Sequence, residues 1–132
     1  MSDNNKKISD KELYRIAKGM LKNAYAPFSK YPVGAALLGK SGKVYTGVNV
    51  ENSSYGGTIC AERTACVKAV SEGEREFVKI AIAIKKGEAS PCGICRQFLF
   101  EFAPDLKVIT GEDEDHLHSV SLKKLLAGGF RF

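Results

Sequence analysis

No apolar run in this chain approaches the roughly twenty residues that a helix needs to cross a bilayer. A basic stripe is also missing. The twenty Lys and Arg residues leave a formal net charge of +5, yet they are scattered and adjoin only as Lys6-Lys7, Lys85-Lys86 and Lys123-Lys124. A surface that tracks a phosphate backbone clusters such charge and interleaves it with aromatics. The excess therefore reads as solvation, and neither a nucleic acid nor a membrane is an expected partner. Repeats, low-complexity tracts and linkers are absent, and nothing reads as a secretory signal. With 132 residues, 44% hydrophobic and 27% charged, one soluble domain over 9–132 is expected, preceded by a flexible polar tail over 1–8. Free thiols in such a chain predict a reducing compartment, the cytoplasm.

Cysteine is scarce as well, with four residues at 60, 66, 92 and 95. Cys60-Ala61-Glu62-Arg63 and Pro91-Cys92-Gly93-Ile94-Cys95-Arg96 bring three thiols from two places, with a carboxylate two residues after the first. Zinc takes thiolates tetrahedrally, and a catalytic site keeps three protein ligands and leaves the fourth position to water. Thiolates at helix starts are further stabilised by the helix N-terminus. Glu62 would then lie close enough to carry protons without being a ligand. A Cys₄ structural zinc site and two disulfides are the alternatives. If 60–71 is helical, Cys66 sits about 120° off the face of Cys60, which suits a buried helical thiol better than a shared metal.

Along the chain, Ser9-Asp10-Lys11-Glu12 reads as a capping box opening an amphipathic helix over 10–25. Val33 to Leu38 and Val44 to Val48 read as a hairpin around Lys40-Ser41-Gly42. Residues 49–58 form a loop rich in Asn, Ser and Gly, suited to binding. A helix follows from about Cys60 to Val70, then a strand over 77–84, a helix over 92–102 and a strand over 106–110. Only Gly111-Glu112-Asp113-Glu114 separates that strand from a final one near 115–120. A parallel crossover needs a dozen or more residues, so the last strand must run antiparallel. A short helix over 122–127 closes the chain. These elements predict an α/β fold, a three-layer α/β/α domain with a mixed five-stranded sheet, in which both cysteine-bearing helices start at one sheet edge.

With those motifs in view, the chain resembles the small homotetrameric cytidine deaminases from about residue 9 to 130. The resemblance rests on Tyr25 to Ala36 (YAPFSKYPVGAA), Thr46 to Asn52 (TGVNVEN), Cys60 to Ala65 (CAERTA) and Pro91 to Gln97 (PCGICRQ). It implies hydrolysis of cytidine and 2′-deoxycytidine to the uridines with release of ammonia, in pyrimidine salvage. By the same resemblance one zinc ion per chain sits on Cys60, Cys92 and Cys95 and delivers hydroxide to C4 of the base, with Glu62 as the catalytic proton carrier. Arg63, assisted by Arg96, would donate hydrogen bonds to the thiolates and offset their charge. Asn49 and Glu51 would contact the ribose, Tyr31 would pack on the pyrimidine, and main-chain groups of Ala61 and near Ser90 would read the base edge. Tyr55 and Phe130 would reach a neighbouring subunit's site, making a homotetramer with shared active sites. Blasticidin-S deaminase is also similar in length and zinc motif, but Glu51 and Arg63 favour the nucleoside enzyme. His116 and His118 read as surface residues.

Overall fold

In the computed structural model, which describes residues 8–132, the described residues form five strands and four α-helices. They are α1 (Asp10–Gly19), β1 (Val33–Gly39), β2 (Val44–Val48), α2 (Ala61–Ser71), β3 (Phe77–Ile84), α3 (Gly93–Phe100), β4 (Lys107–Gly111), β5 (Leu117–Ser121) and α4 (Leu122–Leu125). Short 3₁₀ turns at Leu21–Asn23 and Tyr55–Gly57 punctuate the loops. Of the expected 1–8 tail, residues 1–7 lie outside the described region. Ile8 packs against the core and its carbonyl accepts from Lys79 Nζ at 2.6 Å.

The sheet runs β2-β1-β3-β4-β5. β1 pairs antiparallel with both β2 and β3, β3 and β4 are parallel, and β5 returns antiparallel to β4. The short 112–116 connection leaves no other direction for β5, so the mixed five-stranded sheet expected from the sequence is present. Side chains alternate across it with period two. Leu37, Ile80, Ile82 and Val108 face the layer of α2, α3 and α4, while Leu38, Ala81, Ala83 and Ile109 face α1. Both faces are covered, which is why β1 and β3 read as nearly continuous apolar runs rather than alternating ones, with Lys79 near the start of β3 as the interruption.

α1 begins as its sequence demands, with Ser9 accepting from the Glu12 backbone N–H at 3.0 Å. It stops at Gly19, six residues short of expectation. The chain is drawn away by β-type pairing, for Tyr25 N–H donates to Asn49 O at 3.0 Å and Glu51 N–H donates to Tyr25 O at 2.8 Å. Helical spacing in 20–25 loses to this long-range ladder. The helices expected over 92–102 and 122–127 are likewise shorter, at Gly93–Phe100 and Leu122–Leu125.

α2 packs hard against the sheet through Gly47. A Cβ built there would lie 2.2 Å from Ala61 O and 2.5 Å from Ala65 N, so only glycine admits the first turn of α2 this close. That contact places Cys60 and Glu62 over the end of β2.

Candidate active site

Cys60 is the N-cap residue of α2 and Cys92 that of α3. Their sulfurs are 3.8 Å apart, and with Cys95 all three lie within 4.8 Å of one another. A tetrahedral zinc with Zn–S near 2.3 Å spaces its sulfurs by about 3.8 Å, so the donor set fits that ion in chemistry and in spacing. Cys92 Sγ accepts from the Cys95 backbone N–H at 3.5 Å, which turns the thiol into a helix cap. Cys66 is fully buried among Ala65, Ile80 and other core residues, and burial pushes its thiol up to about 11. It takes no part in the cluster, as expected from its helical phase, and no cysteine is disulfide-bonded.

Electrostatics favour thiolate at this point. The Cys60 thiol is lowered to about 5, first by a hydrogen bond from Cys95, with Arg63 and Cys92 adding and burial opposing. Cys95 moves in the opposite direction, because the same hydrogen bond holds its proton and burial disfavours its charge. Arg63 Nη2 lies 3.5 Å from Cys60 Sγ. Its Nε is buried with no acceptor among the described residues, a cost of directing the guanidinium at sulfur.

Glu62 is only 4% exposed. Burial raises its carboxyl to about 7, the charge of Cys60 adds to the rise, and its own backbone N–H and Arg63 oppose it. It lines a cleft of about 560 Å³ together with Cys60, Cys92, Ala61, Ser90 and Tyr31, a volume in the range of small-molecule sites.

Asn49 also lines this cleft, but its amide is spent on the backbone: Oδ1 accepts from Val33 N–H at 2.9 Å and Nδ2 donates to Tyr31 O at 2.8 Å. The side chain thus acts as one rung of a ladder and fixes Tyr31 at the cleft. Glu51 is set back from the lining. Its Oε1 accepts from Phe28 N–H at 2.9 Å and Ser29 N–H at 3.1 Å, and Oε2 from the Ser29 hydroxyl. These bonds, the hydroxyl first, hold its carboxyl below the usual range against partial desolvation. Tyr55 and Phe130 are 74% and 57% exposed and lie outside the cleft. Tyr55 meets Phe28 edge-on at 5.4 Å, and the Phe130 backbone is tied to the Gln97 amide.

Arg96 requires a correction. It does not donate to the thiolates. Nε bonds Pro91 O at 2.7 Å, Nη1 bonds Leu125 O at 2.8 Å and Nη2 bonds Ser90 Oγ at 3.1 Å. One step beyond Cys95 on α3 is a rotation of about 100°, which turns its side chain from the sulfurs toward α4. The sequence reading also missed Glu88, Ala89 and Thr58 in the cleft wall. A carboxylate four residues ahead of Cys92 was a usable signal for Glu88. His118 is exposed, as expected, and its Nε2 pairs with Glu88 Oε1. His116 pairs with Asp113 at 2.8 Å.

An α/β/α sheet edge carrying three convergent thiols, a buried carboxylate and an adjoining cleft defines a zinc-dependent hydrolase. Residues 7–112 match the family described as the cytidine and deoxycytidylate deaminase zinc-binding region, and the chain belongs to that family. It is 50% identical over 109 residues to a cytidine deaminase of Halalkalibacterium halodurans, covering 81% of this chain and 83% of the relative. A cytidine deaminase of Sporosarcina psychrophila is 45% identical over 121 residues, 90% of this chain and 89% of its own. The crystal structure of a Burkholderia pseudomallei cytidine deaminase superposes with a TM-score of 0.87 at 40% identity, over 93% of this chain and 100% of that one. Zinc is the metal of this family, and the sulfur spacing suits it.

Proposed function

We propose that this protein hydrolyses cytidine and 2′-deoxycytidine to the corresponding uridines, releasing ammonia in pyrimidine salvage in the cytoplasm. The observation that carries the reading is Glu62, a nearly buried carboxylate facing the cleft beside Cys60 and Cys92. A structural zinc site needs no such group.

Cys60, Cys92 and Cys95 would hold the ion. When bound, zinc supplies a water acidic enough to serve as nucleophile near neutral pH. Glu62 accepts a proton from the attacking water and gives it to N3 of the pyrimidine, then takes the remaining hydroxyl proton at C4 and passes it to the amine, which leaves as ammonia as the C4 carbonyl forms. Burial favours the acid form of Glu62 and a nearby dication favours the carboxylate. The two opposed influences suit a group that must both take and return a proton. Arg63 draws charge from the Cys60 thiolate and so preserves the electrophilic strength of the centre.

Main-chain groups of Ala61 and near Ser90 read the base edge, and Tyr31 packs on the ring. Asn49 contacts the ribose through the amide hydrogen left over from its bond to Tyr31 O, and Glu51 acts on the ribose side of the cleft by holding Ser29, which lines it. Tyr55 and Phe130, exposed in the single chain, complete the site of a neighbouring subunit in a homotetramer. No helix among the described residues is long and apolar enough to cross a membrane. Loss of cytidine ultraviolet absorbance on adding purified zinc-loaded protein tests the activity, with zinc content measured on the same sample. A protein with one zinc per chain that leaves cytidine unchanged would overturn it.

A further inference from the structure

The wall of the cleft that precedes Cys92 has no ladder of its own. Residues 85–92 are neither helix nor strand, and among the described residues no backbone N–H of 86–90 donates to another backbone group, while Pro91 has none to give. Such a segment is held only as well as its side chains hold it. Lys18 Nζ fastens the start, bonding Ile84 O at 2.7 Å and Lys85 O at 3.0 Å. Arg96 fastens the end through Ser90 Oγ and Pro91 O. Between them the chain turns at Gly87, whose φ of +99° belongs to the left-handed region that favours glycine. The next residue, Glu88, is tied to the sheet edge. Its Oε1 accepts from the hydroxyl of Thr110, the penultimate residue of β4, at 2.7 Å and pairs with His118 Nε2 on β5. Thr110 is 7% exposed, so this bond sits at the rim of the core.

We propose that Glu88 is a positioning residue for the deaminase site, holding Ala89 and Ser90 at the cleft through its joint anchor on Thr110 and His118. The inference rests on the deaminase reading, because Ala89 and Ser90 matter for specificity only if a pyrimidine edge meets them. Glu88 does not carry protons in the reaction. It sets the place of the main chain that the base must meet, so its loss weakens substrate binding more than the chemical step.

The test is steady-state kinetics with zinc-loaded Glu88→Ala, Glu88→Gln, Thr110→Val and His118→Ala, each with zinc content and thermal midpoint measured. Glu88→Ala is expected to raise KM for cytidine about tenfold while kcat changes by less than about threefold and zinc stays at one per chain. Glu88→Gln retains an oxygen that accepts from Thr110 and is expected to restore most of the lost KM. Thr110→Val removes one hydroxyl without changing shape much, and should raise KM in the same direction even if Glu88→Ala folds poorly. His118→Ala combined with Glu88→Ala should be no worse than Glu88→Ala alone, since both cut one anchor. Lower thermal midpoints with unchanged KM in Glu88→Ala and Thr110→Val would make the anchor purely structural and overturn the proposal. A kcat collapse in Glu88→Gln would also overturn it, by making Glu88 part of the chemistry. Calorimetric titration of cytidine into the wild type separates the two levels. A wild type that neither binds nor deaminates cytidine overturns the deaminase reading and this proposal with it, whereas normal wild-type turnover beside unaltered variants overturns this proposal alone.

Discussion

The Arg63 guanidinium reaches back one helical turn to lie 3.5 Å from the sulfur of Cys60. Three thiolates around a dication carry a formal charge of −1, and a cation directed at one sulfur withdraws part of that charge. Replacing Arg63 by Ala is expected to lower zinc affinity or kcat by about ten- to a hundredfold. Lys, with one compact charge in place of a planar fork, should recover only part of the loss. Chelator competition and cytidine turnover measure the two effects, and a variant matching wild type in both would show that the contact is incidental.

Glu62→Gln keeps the size of the side chain and removes the carboxylate proposed to carry protons. Zinc content and fold should persist while kcat falls by about three to four powers of ten. Retained activity within tenfold of wild type would remove Glu62 from the mechanism.

Cys66 and Cys92 separate burial from ligation. Cys66→Ala should keep one zinc per chain and lose only packing, a cost on the order of 1 kcal/mol. Cys92→Ala should lose the metal together with the stability that metal binding confers. Zinc loss in Cys66→Ala would point instead to a four-cysteine site.

Much of this architecture was legible in the sequence, and the reasons are local. β3 carries seven apolar residues out of eight between turns, Lys79 being the exception, and its bounds follow. The direction of β5 follows from a connection too short for a crossover. The thiol cluster was legible because two helix starts announce themselves by composition. What was hidden depends on partners distant in the chain. The end of α1 at Gly19 is decided by Asn49 and Glu51, 30 and 32 residues on. The direction of Arg96 depends on the Leu125 carbonyl. Glu88 gains its role from Thr110 and His118, 22 and 30 residues away, and no spacing rule links them.

Acid should loosen the α1 face first. Asp10, in the first turn of α1, pairs with Lys79 at 2.8 Å and with Lys107 at 2.7 Å. Burial pushes its carboxyl up, but the bonds from Lys107 and Lys79 outweigh that and leave it lowered from 3.8. A lowered folded value means that Asp10 contributes stability above its unfolded value, near pH 4, which is lost as pH falls through the folded value. Asp10→Asn should therefore lower the thermal midpoint at pH 6 and show a smaller further drop than wild type between pH 4 and pH 2.5. Parallel curves for the two proteins across that window would discount the pair.

Phe130 poses the question of assembly. It lies outside the cleft of its own chain, 57% exposed, on a backbone that the Gln97 amide grips from both sides, with Nε2 donating to Phe130 O at 2.8 Å. That grip gives a definite position to a ring that finds little cover in its own chain. Tyr55, 74% exposed on the 49–58 loop, presents a second aromatic in the same condition. A neutral nucleoside needs an apolar wall on each face, and the single-chain cleft supplies Tyr31 on one. A neighbouring chain that inserts Phe130 would supply the other and would cover both exposed rings. Light scattering is expected to give four times the 14.3 kDa chain mass. Phe130→Ala should then lose most of its activity while keeping zinc. Mixing that variant with inactive Glu62→Gln under subunit exchange should restore part of the activity, because some sites regain an intact Glu62 from one chain and an intact Phe130 from the other. No recovery from two variants that demonstrably form mixed tetramers would confine Phe130 to its own chain, and a fully active monomer would remove the shared site altogether.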